Sequence, residues 1–223
     1  NFDTQERSFP VFVEDKKFVI SDIYWANNNI LLVEAKFASS LRGTAMIELH
    51  LMKYDLRDKK LKPAIPNSFM ERLKYIPNIR SNVIDILPDD PNHFLLQIAG
   101  HEYDGEPSVA KIALERGGNT HYVQAAQNDI FNWQTDRQGN VRIAIEKKDA
   151  VFTIYHVPLG EEDKDDFEKL WTFAAYSEDK VWPIGFGQDP NELYVKAFHQ
   201  GYDAIFKVNL ASKERQLQLV RAK

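Results

Sequence analysis

Four times in this chain an apolar run carrying aromatic residues breaks at a tight turn ending in asparagine, and a second apolar run starts at once. The copies are Ile23-Tyr24-Trp25 to Asn29, Val83-Ile84-Asp85-Ile86-Leu87 to Asn92, Ile130-Phe131-Asn132-Trp133 to Asn140, and Val181-Trp182-Pro183-Ile184-Gly185-Phe186 to Asn191. The aligned asparagines Asn29, Asn92, Asn140 and Asn191 lie 63, 48 and 51 residues apart. Short strands recurring with a period near fifty residues are the sequence signature of a β-propeller, because one such unit cannot bury both of its faces alone. The expected fold is therefore all-β. It is a propeller portion of four to five blades, each a three- to four-stranded antiparallel sheet.

The strands can be placed from alternation and turn chemistry. In the first copy Ile30–Ala35 returns from the asparagine turn, and Ala45–Met52 follows after a loop expected over Ser39-Ser40-Leu41-Arg42-Gly43. Ser68-Phe69-Met70-Glu71 has the spacing of a capping box, which predicts a short helix over Phe69–Tyr75 and accounts for the longer first interval. Pro88-Asp89-Asp90-Pro91 and Asp136-Arg137-Gln138-Gly139 are turn-forming. Arg142 reads as the polar member of an alternating strand. Expected blades cover about 18–62, 83–126, 130–174 and 181–222, in one domain over 1–223. Phe9–Val13 is expected to be a strand of a blade whose remainder lies upstream.

Composition removes several classes. Twenty-eight basic and 33 acidic residues are scattered, for a net charge of −5, and no basic stripe interleaves with aromatics to meet nucleic acid. Cysteine is absent, which removes disulfides, thiolate metal sites and a cysteine nucleophile together. No apolar run is long enough to span a bilayer. The opening Asn1-Phe2-Asp3-Thr4 has neither an initiator Met nor a leader, so the chain is expected to be a piece of a longer protein.

Three phrases arrive in a fixed order: Val83–Pro91, then Trp133–Arg142, then Pro183–Phe186 with Leu193-Tyr194-Val195. Together they resemble the N-terminal β-propeller of bacterial prolyl oligopeptidase-family serine peptidases, over roughly residues 18 to 222. The resemblance implies a parent enzyme whose C-terminal α/β-hydrolase domain, a partner within the same chain, carries a Ser, Asp, His triad. The propeller would then restrict entry to short peptide substrates. It also points towards a periplasmic or exported protein. No serine of this chain lies in a Gly-x-Ser-x-Gly elbow, so no catalytic residue is carried over, and no cofactor or metal is implied.

The residues offer some candidates of their own. Glu161 and Glu162 read as a solvated acidic loop before they read as the paired carboxylates that the resemblance implies could hold a peptide's ammonium by charge-assisted hydrogen bonds. His101, Glu102 and Asp104 read as a polar loop tip before they read as metal ligands. Trp25, Trp133, Trp171 and Trp182 read as packing between blades before they read as a carbohydrate groove. Asp85, Asp89 and Asp136 admit a two-carboxylate glycosidase, but turn chemistry accounts for Asp89 and Asp136. The leading expectation is a non-catalytic gate over a hydrolase triad. A stand-alone binding module is the alternative, and a glycosidase comes third.

Overall fold

In the computed structural model the described residues are 18–102, 105–158, 167–212 and 216–220, and their regular secondary structure is strand but for one helical turn. The first sheet takes β1 (Phe18–Trp25), β2 (Ile30–Leu41), β3 (Thr44–Asp55) and β4 (Lys60–Pro63) in sequence order. A single helical turn, α1 (Asn67–Met70), then precedes β5 (Ile79–Arg80), which returns parallel to β3. The other sheets are four-stranded, each in sequence order. The second is β6 (Val83–Asp85), β7 (His93–Ile98), β8 (Ser108–Ala113) and β9 (His121–Gln124). The third is β10 (Ile130–Thr135), β11 (Val141–Lys148), β12 (Val151–His156) and β13 (Glu168–Ala174). The fourth is β14 (Val181–Phe186), β15 (Glu192–His199), β16 (Tyr202–Asn209) and β17 (Gln218–Leu219). Four successive up-and-down sheets make the fold all-β and β-propeller-like, as the repeat predicts.

The second strand of each sheet carries deeply buried side chains, and in the second sheet β8 carries as many as β7. Leu32 and Val33 of β2, Phe94 and Leu96 of β7, Ile143, Ala144 and Ile145 of β11, and Leu193 and Val195 of β15 are all fully buried. A strand covered on both faces reads as a near-continuous apolar run, which is how Ile30–Val33 and Phe94–Leu96 appear in the sequence.

The aligned asparagines have a shared backbone role. The carbonyls of Asn29, Asn92 and Asn191 accept the N–H of Leu56, Leu114 and Leu210 at 2.9, 2.8 and 2.7 Å. Each of these leucines directly follows the third strand of its sheet, so the bond extends the pairing of the second and third strands by one step. Side chains shape the turn itself: Asn27 Oδ1 accepts the Asn29 and Ile30 N–H groups at 2.9 Å, and Asp189 Oδ1 accepts the Asn191 N–H at 2.9 Å. These are Asx turns, which give a short polar side chain the role of a backbone acceptor. The third copy departs from the pattern. Its turn closes on itself through Asp136 N–H to the Asn140 carbonyl at 2.9 Å, and the Arg142 carbonyl takes the N–H of Val157 at 2.8 Å.

By contact density the chain forms two compact units, 1–103 with 110–121 and 104–109 with 122–223. Within the first, Asn27 Nδ2 donates to the Pro91 carbonyl at 2.6 Å and Lys53 Nζ to the Leu114 carbonyl. Arg57 bridges Asp55 and Glu115 at 2.6 and 2.7 Å. Gly100 has φ +98°, and a Cβ there would sit 2.5 Å from the Tyr75 carbonyl oxygen, so only glycine fits. Within the second unit, Ile143, Ile145 and Ile154 meet Leu193, Val195 and Val208 in one apolar core, with Phe152, Phe173 and Trp182 packed edge to face at its margin.

Three expectations are corrected. Ser68 lies inside a helix of one turn whose N-cap is Pro66, with no side-chain cap bond, so the capping-box spacing there is coincidental. The loop expected at Ser39–Gly43 is strand up to Leu41, with only Arg42 and Gly43 turning, both at positive φ (51° and 84°). That is the two-residue turn whose twist matches a hairpin. Small and polar residues exposed on both faces had erased the alternation. Arg142 is buried, at 1 % exposure. Phe9–Val13 lies outside the described residues.

Two measurements test this packing. Leu193→Ala, which empties a site in the second unit's core, is expected to cost about 2–5 kcal/mol in denaturant unfolding. Asp55 is held at about 2, below its ordinary 3.8, chiefly by the hydrogen bond from the Arg57 side chain. A depressed carboxyl stabilises the fold above its unfolded pKa and ceases to as pH falls through the folded one. The stability gap between wild type and Asp55→Asn should therefore be full near neutrality and close between about pH 4 and 2.

Candidate functional site

Two clefts open beside the first strands of the first two sheets, and both lie within the first compact unit. The polar one, of about 360 Å³, is lined by Asp22, Tyr24, Glu34, Ser81 and Asn82, with Leu49, Ile79 and Val83. The apolar one, of about 440 Å³, is lined by Tyr24 with Val83, Ile84, Asp85 and Ile86. Tyr24 and Val83 belong to both, so one aromatic ring stands at the boundary between a carboxylate-bearing pocket and a greasy one.

Strand pairing positions the carboxylates. Asp22 on β1 and Glu34 on β2 are direct register partners across a bulge at Ser21, which puts two like charges side by side on one sheet face. Such pairs repel unless something compensates. Two hydroxyls supply part of the compensation: Ser21 Oγ donates to Glu34 Oε1 at 2.5 Å and Ser81 Oγ donates to Oε2 at 2.6 Å. Burial raises the Tyr24 hydroxyl well above the ordinary phenol range, and Glu34 and Asp22 push it further the same way. Tyr24 therefore stays protonated, and its hydroxyl is able to donate a hydrogen bond. The arrangement suits recognition. It presents acceptors and a neutral donor beside an apolar wall, and its serine hydroxyls are directed to a carboxylate rather than to an imidazole.

A second polar constellation sits in the third sheet and is structural. Arg142 on β11 gives Nε to the Val157 carbonyl at 3.0 Å and Nη1 to Asp136 Oδ2 at 3.3 Å, and its guanidinium lies 5.3 Å from the Phe186 ring centre. Its Nη2 meets His156 Nε2 at 2.8 Å. A guanidinium only donates, so His156 accepts there and carries its proton on Nδ1, facing Glu168 Oε2 at 3.6 Å. Asp136 also accepts the Gln138 and Asn140 N–H groups at 3.0 and 2.9 Å. Burial lowers the pKa of Arg142, while Asp136 opposes the shift. One buried ion pair thus fixes both the third copy's turn and the start of its second strand.

The sequence-derived candidates fall as follows. Glu161, Glu162 and Asp104 lie outside the described residues. His101 lies 3.5 Å from Glu102, which also pairs with Lys74, and among the described residues no group of metal-ligating side chains converges. Trp133 is 1 % exposed and donates Nε1–H to the Pro107 carbonyl at 2.7 Å, and Trp182 packs on Phe152 and Phe173. Both serve packing, whereas Trp25 is 53 % exposed. Asp85 caps the Leu87 N–H at 2.7 Å, Asp89 is exposed, and Asp136 is committed to Arg142. That commitment removes Asp136 from any sugar-hydrolysing pair. Asp22, Tyr24, Glu34 and Ser81 were not singled out from sequence. Ser81 is 47 positions from Glu34, and only the sheet pairing brings them together.

No family model and no curated protein matches the chain. Among solved structures it is similar to the apo form of the isopeptidase AtxE2, at 13 % identity and TM-score 0.35, covering 90 % of this chain and 33 % of that one. It is similar to TolB from Acinetobacter baumannii, at 8 % identity and TM-score 0.41, covering 91 % of this chain and 53 % of TolB. A functionally unknown protein from Desulfotomaculum acetoxidans DSM 771 matches at 10 % identity and TM-score 0.33, with 92 % and 69 % covered. The chain thus spans about a third of the isopeptidase and about half of TolB. No residue role is taken from any of them.

The buried pair gives a prediction. Arg142→Met leaves the Asp136 carboxylate buried without its cation and should cost about 3–5 kcal/mol in unfolding. Adding Asp136→Asn should recover part of that loss, giving a double-mutant coupling above about 1 kcal/mol.

Proposed function

We propose that this chain is a non-catalytic β-propeller segment of a prolyl oligopeptidase-like serine hydrolase, and that it screens short peptides on their way to a triad held by an α/β-hydrolase domain of the same parent protein. The observation that carries the reading is the divided cleft at Tyr24, with carboxylates and hydroxyls on one side and Val83, Ile84 and Ile86 on the other. A short peptide has that same division, with main-chain amides or an ammonium next to apolar side chains. The order of the phrases Val83–Pro91, Trp133–Arg142 and Pro183–Val195 supports the same reading. The mechanism is steric and electrostatic. The cleft retains extended, apolar-flanked peptides, and the chemistry belongs to the other domain.

A stand-alone binding module would use the same cleft, and the reading frame past Lys223 separates the two, since a hydrolase domain encoded there favours the gate. Calorimetry with short apolar peptides should show binding that Glu34→Gln weakens about tenfold, the value of one charge-assisted hydrogen bond. The chain alone should turn over neither peptide nor ester substrates. Turnover that survives repurification, or peptide binding indifferent to Glu34→Gln, would overturn the proposal.

A further inference from the structure

The hairpin β2–β3 is twelve residues on each strand, and its register runs unbroken from Ile30↔Asp55 to Leu41↔Thr44. Among the described residues only its base is covered. β1 pairs with β2 up to Phe37, β4 pairs with β3 from Met52 to Asp55, and β5 pairs with β3 at Leu49 and His50. Among the described residues no strand lies against Thr44–Glu48 on the outer edge of β3. Leu41 and Ile47 on this arm are 64 % and 59 % exposed.

The two-residue turn at Arg42-Gly43 fixes which backbone groups face outwards. In such a hairpin Leu41 and Thr44 exchange both hydrogen bonds, so the next exchanging pair is Ser39 with Met46. Ala45 and Ile47 must then direct N–H and C=O away from β2. The parity is confirmed two residues on, where the Leu49 N–H leaves the hairpin for the Asn78 carbonyl at 2.7 Å. An exposed edge of this kind is a template for another strand, and proteins usually guard it with charge, proline or a bulge. From Ala38 to Ile47 the sole charge is Arg42 in the turn, there is no proline, and the register shows no bulge.

We infer that the outer edge of β3 is a self-association surface whose occupant is β3 of a second copy of this chain, paired antiparallel about a two-fold axis through Met46. That register is self-complementary. Ala45 of one copy exchanges both backbone bonds with Ile47 of the second copy, and the reverse, so all four outward groups on each strand are satisfied. Met46 meets Met46 of the second copy as the close, non-hydrogen-bonded pair. The paired stretch carries no like charges to repel. Arg42, which has no ion-pair partner among the described residues, falls diagonally across from Glu48 of the second copy, a carboxylate that already meets Arg80 and His50 of its own chain. A strand of another protein would find the same donors and acceptors, but only the second copy matches this centre of symmetry.

The chain has no cysteine, so a single introduced thiol reports the axis directly. Non-hydrogen-bonded partners have Cα atoms about 4.5 Å apart, within the roughly 4.4–6.8 Å that a disulfide spans. Under mild oxidation Met46→Cys is expected to give a covalent dimer, while Ser40→Cys on the opposite edge of the arm cross-links at least tenfold more slowly. In sedimentation velocity the wild type should show a monomer–dimer equilibrium in the micromolar range. Ile47→Lys, which places a guarding charge on the edge, and Ala45→Pro, which deletes one outward N–H and no bond within the hairpin, should each raise the dissociation constant tenfold or more with an unchanged circular dichroism spectrum. A wild type that stays monomeric across that range would overturn the inference, as would a dimer indifferent to both substitutions or equal cross-linking of the two cysteine variants.

Discussion

A strand covered on both faces leaves its chain little freedom, and β7, β11 and the base of β2 are in that position. Such a strand has its apolar side chains removed from water on both sides, so its neighbours must come from the same short stretch of sequence, by turns tight enough to keep the pairing in order. That requirement explains why the main path of each sheet follows sequence order, with β5 added parallel to β3 in the first. It also explains why the turns before the second strands carry such specific chemistry. A slip of one residue there would turn a buried face outwards. The Asn29, Asn92 and Asn191 carbonyls, each tied to the leucine that closes the third strand, hold the register at the point where a slip would begin.

The third sheet solves the same problem differently. Its turn closes on itself between Asp136 and Asn140, and the backbone position that asparagine fills elsewhere is taken by Arg142. A guanidinium buried at that place needs a counter-charge and acceptors, which Asp136, the Val157 carbonyl and His156 provide. Such a cluster adds little net stability compared with well-packed apolar side chains. What it adds is geometry, since each of its bonds is directional and each partner belongs to a different part of the sheet.

The sequence displays the repeat because turn residues and apolar runs are local signals. Val83–Leu87 before the turn at Asn92, and Val181–Phe186 before the turn at Asn191, can be read without any knowledge of distant contacts. Signals that depend on what lies across a sheet are not local. Arg142 looks like a solvent-facing residue of an alternating strand until its ring of acceptors is seen. Ser39–Leu41 looks like loop because a strand exposed on both faces has no apolar alternation to show. The cleft was hidden for the same reason. Asp22 and Glu34 are twelve residues apart in the chain and become neighbours through one bulged register, while Ser81 arrives from beyond the first sheet's last antiparallel strand. Asp136 was visible as a turn former, but its second commitment, to Arg142, was not.

The hairpin of β2 and β3 joins two environments within single strands. Near its base, Leu32, Val33 and Ala35 are sealed from water, and a few residues on, Ala38, Ser40 and Leu41 are open to it. Deuterium should therefore enter this one element at two very different rates. Amides at the sealed end would exchange only when the whole unit opens, whereas those near the tip would exchange as the ribbon frays. A single pair of strands would thus act as its own internal gauge of global against local opening.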